Sequence, residues 1–211
     1  YITDLIQRIF YKMRFLSRED FQQQYPDLDN FITKITTANN IPYPKMGIVD
    51  DDNPTAYTYG SGAFNARIIF TKGLFTYLQP EEIYAVMAHE IGHIVHRDFV
   101  VMAIANTIVQ LLYEISEIFM RRRSDRSDRD RGGALVIIGI AAYIFYIIGF
   151  YIVLFLSRIR EIYADEFSAR TTKKPYTLSN ALIKIAYGIM AKEETPRSMK
   201  LLESTRTRGI L

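Results

Sequence analysis

Three residues that can do chemistry lie within five positions of one another: His89, Glu90 and His93, in the stretch His89-Glu90-Ile91-Gly92-His93. The pattern reads H-E-x-x-H. On a helix, residues four apart share a face, so both imidazoles can approach one ion. Two histidines so spaced suit zinc, and the carboxylate between them can act as general base toward an attacking water. Every histidine of the chain falls between residues 89 and 96, so nothing suggests casual histidine use elsewhere. Gly92, a poor helix former between the two, implies the close approach of a neighbouring element.

A catalytic zinc takes three protein ligands and keeps a position open. The chain has no cysteine, which removes thiolate ligands and disulfides and leaves the redox compartment unread. His96 is seven residues from His89, about 10.5 Å along a helix axis, which ill suits ligand bonds of about 2 Å to one ion. It reads as a surface or substrate-facing neighbour. The third ligand is therefore expected to be a carboxylate on a second helix. Glu161 is the first choice, with Asp165 one turn on, placed to support a ligand histidine. Glu166 and Asp98 are the alternatives for these roles. One zinc per chain is expected. Arg160, Tyr163 and Tyr176 are the candidates for contacts to substrate or transition state.

These side chains need elements to hold them. Pro80 is tolerated in a first helical turn, and Glu81 and Glu82 favour a helix N-terminus. The spacing predicts a helix over 80–96, buried through Ile83, Val86, Met87, Ile91 and Ile94. Before it, Pro42, Pro44, Gly47, Asn53-Pro54, Gly60 and Gly62 punctuate short β-type runs at 46–49, 56–59 and 67–71. They imply a small, mostly antiparallel sheet. Arg67–Thr71 is expected nearest the active-site helix, with an edge able to pair with an extended peptide. Pro26 opens an earlier helix that ends near Asn39-Asn40. Residues 1–16 carry Ile2, Leu5, Ile6, Ile9, Phe10 and Met13 on one helical face beside Arg8, Lys12 and Arg14, a basic amphipathic helix. The chain begins at Tyr1 and reads as a fragment.

Two apolar stretches follow the histidines. Phe99–Tyr113 extends to Met120 across Glu114 and Glu117. Ala134–Leu156 holds 23 residues without a charge, about 35 Å of helix against a hydrocarbon core of roughly 30 Å. Between them lies the Arg-rich segment 121–132. It has no interleaved aromatics, which argues against nucleic acid. The net charge of +3, with cations scattered or beside the apolar runs, suits a membrane surface. Since His93 and Glu161 must reach one ion, the chain between them crosses the bilayer an even number of times. Six Lys or Arg residues lie near each end of the proposed spans, so charge bias gives no orientation. Leu178–Ala191 forms a last amphipathic helix, and the tail past Lys192 has weak periodicity.

His89–His93, followed after the apolar hairpin by Ser157-Arg158-Ile159-Arg160-Glu161-Ile162-Tyr163-Ala164-Asp165, resembles the membrane zinc endopeptidase family that contains protease HtpX and, more distantly, the CAAX prenyl proteases. Pro44–Val49 and Ala56–Gly60 resemble the family's segment before the catalytic helix, with Thr55-Ala56 where the family has Asn-Ala. The resemblance covers roughly residues 27–191.

It implies an α+β, mainly α, minimal zincin-type domain with an inserted transmembrane hairpin. The protease parts would be 1–98 and 157–211, and the hairpin 99–156. His89, His93 and Glu161 would be the zinc ligands and Glu90 the base. The implied activity is endopeptidase cleavage of misfolded or damaged membrane proteins, on the cytoplasmic side of a multi-pass cell-membrane protein. The family's two N-terminal transmembrane helices are not found here, unless residues before Phe15 are a remnant.

Two rival readings remain. One is a non-catalytic membrane adaptor with a structural metal, although no catalytic position is degenerate. The other is a transporter fragment, supported only by Asn106, Gln110, Glu114 and Glu117 within an apolar span.

Overall fold

A computed structural model describes residues 13–121 and 129–193. The chain divides into two compact units, one made of Tyr1–Val95 with Ala164–Leu211, the other of His96–Tyr163.

The first unit is built on a four-stranded sheet of β1 (Arg14–Phe15), β2 (Lys45–Val49), β3 (Ala56–Tyr59) and β4 (Arg67–Thr71), in the order β1-β2-β4-β3. The pairings β1/β2 and β3/β4 are antiparallel, but the central pair β2/β4 is parallel, so the sheet is mixed. Every residue of β4 is buried. Arg67-Ile68-Ile69-Phe70-Thr71 is a near-continuous apolar run, and such runs take inner positions where both faces are covered. The expectation that β4 lies nearest the active-site helix and offers an open edge is thereby corrected. The edges are β1 and β3, and β3 is the strand that packs on the histidine helix.

A second correction concerns the N-terminal helix expected over 1–16. Its described end is strand: Arg14 pairs with Ile48 and Phe15 with Gly47. Met13 is buried with Val49 and Ile69, Phe15 packs on the same cluster, and Arg14 points out to solvent. That alternation has the period of a strand. The rest of the helix falls in residues 1–12, outside the described residues.

Helices cover the sheet. In α1 (Arg18–Gln24) the Ser17 side chain accepts from the Asp20 N–H as an N-cap. α2 (Pro26–Ala38) starts on proline. α3 (Lys72–Tyr77) follows β4 directly. Neither α1 nor α3 is foreseen from periodicity. Aromatic contacts fix them instead: Phe21 sits 6.0 Å from Phe70, and Tyr25 stacks on Phe75 at 4.6 Å between ring centroids. α4 (Pro80–Val95) carries the histidines and buries 11 of its 16 residues. It packs against α2, where Phe31 stacks on Tyr84, and against α7 (Pro175–Glu193).

The second unit contains α5 (Asp98–Arg121) and the first part of α6 (Arg129–Thr172). Both helices reach into the span expected to be loop, 121–132; residues 122–128 of that loop, and the tail beyond 193, lie outside the described residues. Each helix is long and apolar enough to cross a membrane. They pack through small residues: an added Cβ at Gly149 would meet Val109 at 3.0 Å, and one at Gly139 would meet Phe119 and Met120 at 3.2 Å. Ile104, Ile108, Leu111, Ile115 and Ile118 of α5 stay exposed.

Candidate metal centre

The long helix α6 runs uninterrupted for 44 residues. Its last two turns lie against α4. Ser168 Oγ donates to the Ala85 carbonyl at 2.7 Å. Asp165 Oδ1 lies 2.9 Å from His89 Nδ1, off the line of a hydrogen bond. A Cβ added at Gly92 would sit 3.1 Å from Ala164 Cα and 3.3 Å from Phe167 Cβ. As the numbers fall along α6 they rise along α4, so the two helices are antiparallel. Gly92 is the residue that permits this approach, as its place between the histidines implied.

The histidines converge. His89 Nε2 and His93 Nε2 are 3.2 Å apart, with the rings nearly perpendicular. His89, His93 and Glu161 each offer a ligand atom, and these atoms lie within 4.8 Å of one another. Two imidazoles and one carboxylate are a donor set of the kind that can hold zinc. Two ring nitrogens aimed at one point also fit a shared cation, because without one a proton must sit between them. The residues therefore fit the metal.

Glu90 is 8% exposed. Thr58 Oγ1, on the edge strand β3, donates to Glu90 Oε2 at 2.7 Å. Thr58 is absent from the sequence-based site, since which strand faces the histidine helix is not written in local periodicity.

The remaining expected residues are placed differently from one another. His96 is exposed, with its ring 5.7 Å from that of Tyr163. Arg160 Nε lies 3.0 Å from Asp98 Oδ2 in a largely buried ion pair. Glu166 is paired with Arg170 one turn on. Tyr176 stands 80% exposed in the first turn of α7.

A histidine-bearing helix beside the edge of a small mixed sheet, crossed by a second helix that brings in a carboxylate, defines a metallopeptidase-type domain. The chain belongs to peptidase family M48, whose family model matches residues 22–206. It is 34% identical over 164 residues to a protease HtpX homolog of Methanothermobacter thermautotrophicus, covering 78% of this chain and 60% of that protein. It is 33% identical over 202 residues to one of Syntrophobacter fumaroxidans, covering 93% and 69%. The chain thus spans about 60 to 70% of the length of these two relatives. The crystal structure of S. mikatae Ste24p matches with a TM-score of 0.57 at 20% identity, over 87% of this chain and 46% of that one, a likeness of fold.

Proposed function

We propose that the protein is a membrane-anchored, zinc-dependent endopeptidase that cleaves misfolded or damaged membrane proteins. The observation carrying this reading is the convergence of His89, His93 and Glu161 beside Glu90, in a chain of family M48. His89, His93 and Glu161 would hold one zinc ion, and Asp165 would orient His89. The protease domain comprises 1–98 and 157–211, interrupted by the membrane hairpin 99–156, with the active site on the cytoplasmic side. Two helices long and apolar enough to span a bilayer support that anchorage. Histidine helix and third carboxylate stand close before and after them in sequence, so the site lies near the membrane surface.

Zinc, when bound, supplies a Lewis acid that polarises the scissile carbonyl. Glu90 takes the proton of the attacking water at a carboxylate oxygen and delivers it to the leaving amine. Thr58 holds Oε2 by its hydrogen bond and leaves Oε1 toward the water. The edge strand β3 docks an extended peptide by strand addition, the role the sequence alone would give to β4. Arg160, Tyr163 and Tyr176 are not needed for these steps.

The test is Glu90→Gln in the full chain. Zinc content is expected to match the wild type, while kcat/KM on an unfolded membrane-protein substrate falls about 100- to 10,000-fold. Cleavage at the wild-type rate would refute Glu90 as the base.

A further inference from the structure

We propose that the Asp98–Arg160 ion pair is a positioning device that delivers Glu161 to the metal. Arg160 is then a positioning residue rather than a substrate contact. The inference rests on the ligand set proposed above and concerns what places its third member.

Asp98 and Arg160 side chains are only 4% and 22% exposed, 3.0 Å apart. A carboxylate so buried needs a charged partner, which makes the pairing a demanding constraint on both helices. Asp98 opens α5, three residues past the end of the histidine helix at Val95. The turn between is fixed: Arg97 has φ 57°, the left-handed region that side chains disfavour, and its carbonyl accepts from the Val100 and Val101 N–H groups. Arg160 directly precedes Glu161 on the uninterrupted α6. The pair therefore joins the point where the chain leaves the histidine helix to the point where it returns with the third carboxylate.

In lipid no hydrophobic force drives two apolar helices together, because the tails solvate either face equally well, so their register rests on close packing and on polar contacts. A slip of one residue moves a helix by about 1.5 Å and turns its side chains by about 100°. Such a slip would carry Glu161 away from the histidines. Arg160 Nε lies off the line of a hydrogen bond, so the pair acts as a buried charge–charge contact that adds a constraint on register to that of packing.

The experiment is a double-mutant cycle on zinc affinity, measured by chelator competition with the full chain in detergent. The variants are Arg160→Gln, Glu161→Gln and the two together, with thermal unfolding of the zinc-free proteins alongside. Arg160→Gln is expected to weaken zinc binding about 10- to 100-fold, the range seen when support to a ligand is lost. The double variant is expected to bind zinc no worse than Glu161→Gln alone, because Arg160 acts only through Glu161. If Arg160→Gln does not fold, Asp98→Asn with Arg160→Gln removes both charges and carries the same comparison. Full zinc affinity in the Arg160 variant, or effects that multiply in the double variant, would overturn the proposal. Unchanged affinity in Glu161→Gln would instead overturn the ligand set itself.

Discussion

Two consecutive helices, α4 and α5, have nearly the same average apolarity and opposite fates. α4 buries 11 of 16 residues, including Ala85, Met87, Ala88, Ile91 and Ile94 at 0% exposure. α5 buries only Asp98 and Ser116 of its 24 residues. Its apolar residues are outside and its two buried residues are polar. The difference teaches that apolar content sets how much surface must leave water, while patterning and neighbours decide what replaces the water. For α4 the replacement is protein, and for α5 the exposed flank calls for lipid.

Matched substitutions probe that contrast most strongly. Ile91→Ala is expected to cost about 2–5 kcal/mol of folding stability, through lost burial and a cavity. Ile108→Ala on α5 should change the unfolding midpoint hardly at all, within about 0.5 kcal/mol. Ile108→Asp should instead reduce membrane integration, by about 2.5–3.5 kcal/mol at a mid-helix position, read as the fraction resisting alkaline extraction. Undiminished integration would mean that α5 faces protein or water.

Gly92→Ala tests how tightly α4 meets α6. Helix propensity alone would stabilise the variant by about 0.8–1.0 kcal/mol. The new methyl, however, would press on Ala164 Cα at 3.1 Å, a backbone atom that cannot rotate away. Overpacking of this kind costs about 1–3 kcal/mol, so the net effect is destabilising and zinc affinity should fall with it. A higher melting temperature would show that the helices can separate freely.

Smaller effects belong to single polar contacts. Thr58→Val should lower kcat about tenfold, in keeping with loss of one bond of about 1.5 kcal/mol to a charged group, with KM little changed. Thr58→Ser should restore it. At the other end of α4, Glu82 joins Lys184 of α7 at 2.7 Å. Burial opposes ionisation of Glu82, but hydrogen bonds from Lys184 and the Gln79 N–H outweigh it and hold the carboxyl below its ordinary value of 4.5. A lowered folded-state value means the contribution is present above the unfolded value and is lost as pH falls through the folded one. Urea midpoints at pH 7 and below pH 4 should therefore differ less for Glu82→Gln than for the wild type. The effect is small, because Lys184 is 42% exposed and screened.

Much of this molecule is legible in its sequence where the signal is local. The helix over 80–95 follows from Pro80, the acidic first turn and a 3.6-residue apolar rhythm. β3 and β4 have the bounds that their Gly and Pro punctuation implies. H-E-x-x-H and the Glu161–Asp165 spacing single out His89, His93 and Glu161, whose ligand atoms lie together, and Gly92 announces the crossing of α6. What escapes is pairing between distant segments. Nothing local states that β4 slides between β2 and β3, that Arg14-Phe15 finds Gly47 and Ile48, or that Thr58 reaches Glu90. Arg160 beside Glu161 looks like a substrate contact in one dimension and is claimed by Asp98 in three.

The unbroken course of α6 has a mechanical consequence. No proline interrupts residues 129 to 172, and the 44 residues of this helix make a rod about 66 Å long at about 1.5 Å per residue. Glu161 stands some 33 Å along this rod from Gly139, so a tilt of about 5° pivoting there swings the carboxylate by about 3 Å, more than a zinc–ligand bond. Helices adjust their tilt to the thickness of the surrounding bilayer. Pivoting near Gly139, the rod is a lever whose longer arm carries Glu161, so on the ligand set proposed above bilayer thickness becomes a force felt at that carboxylate.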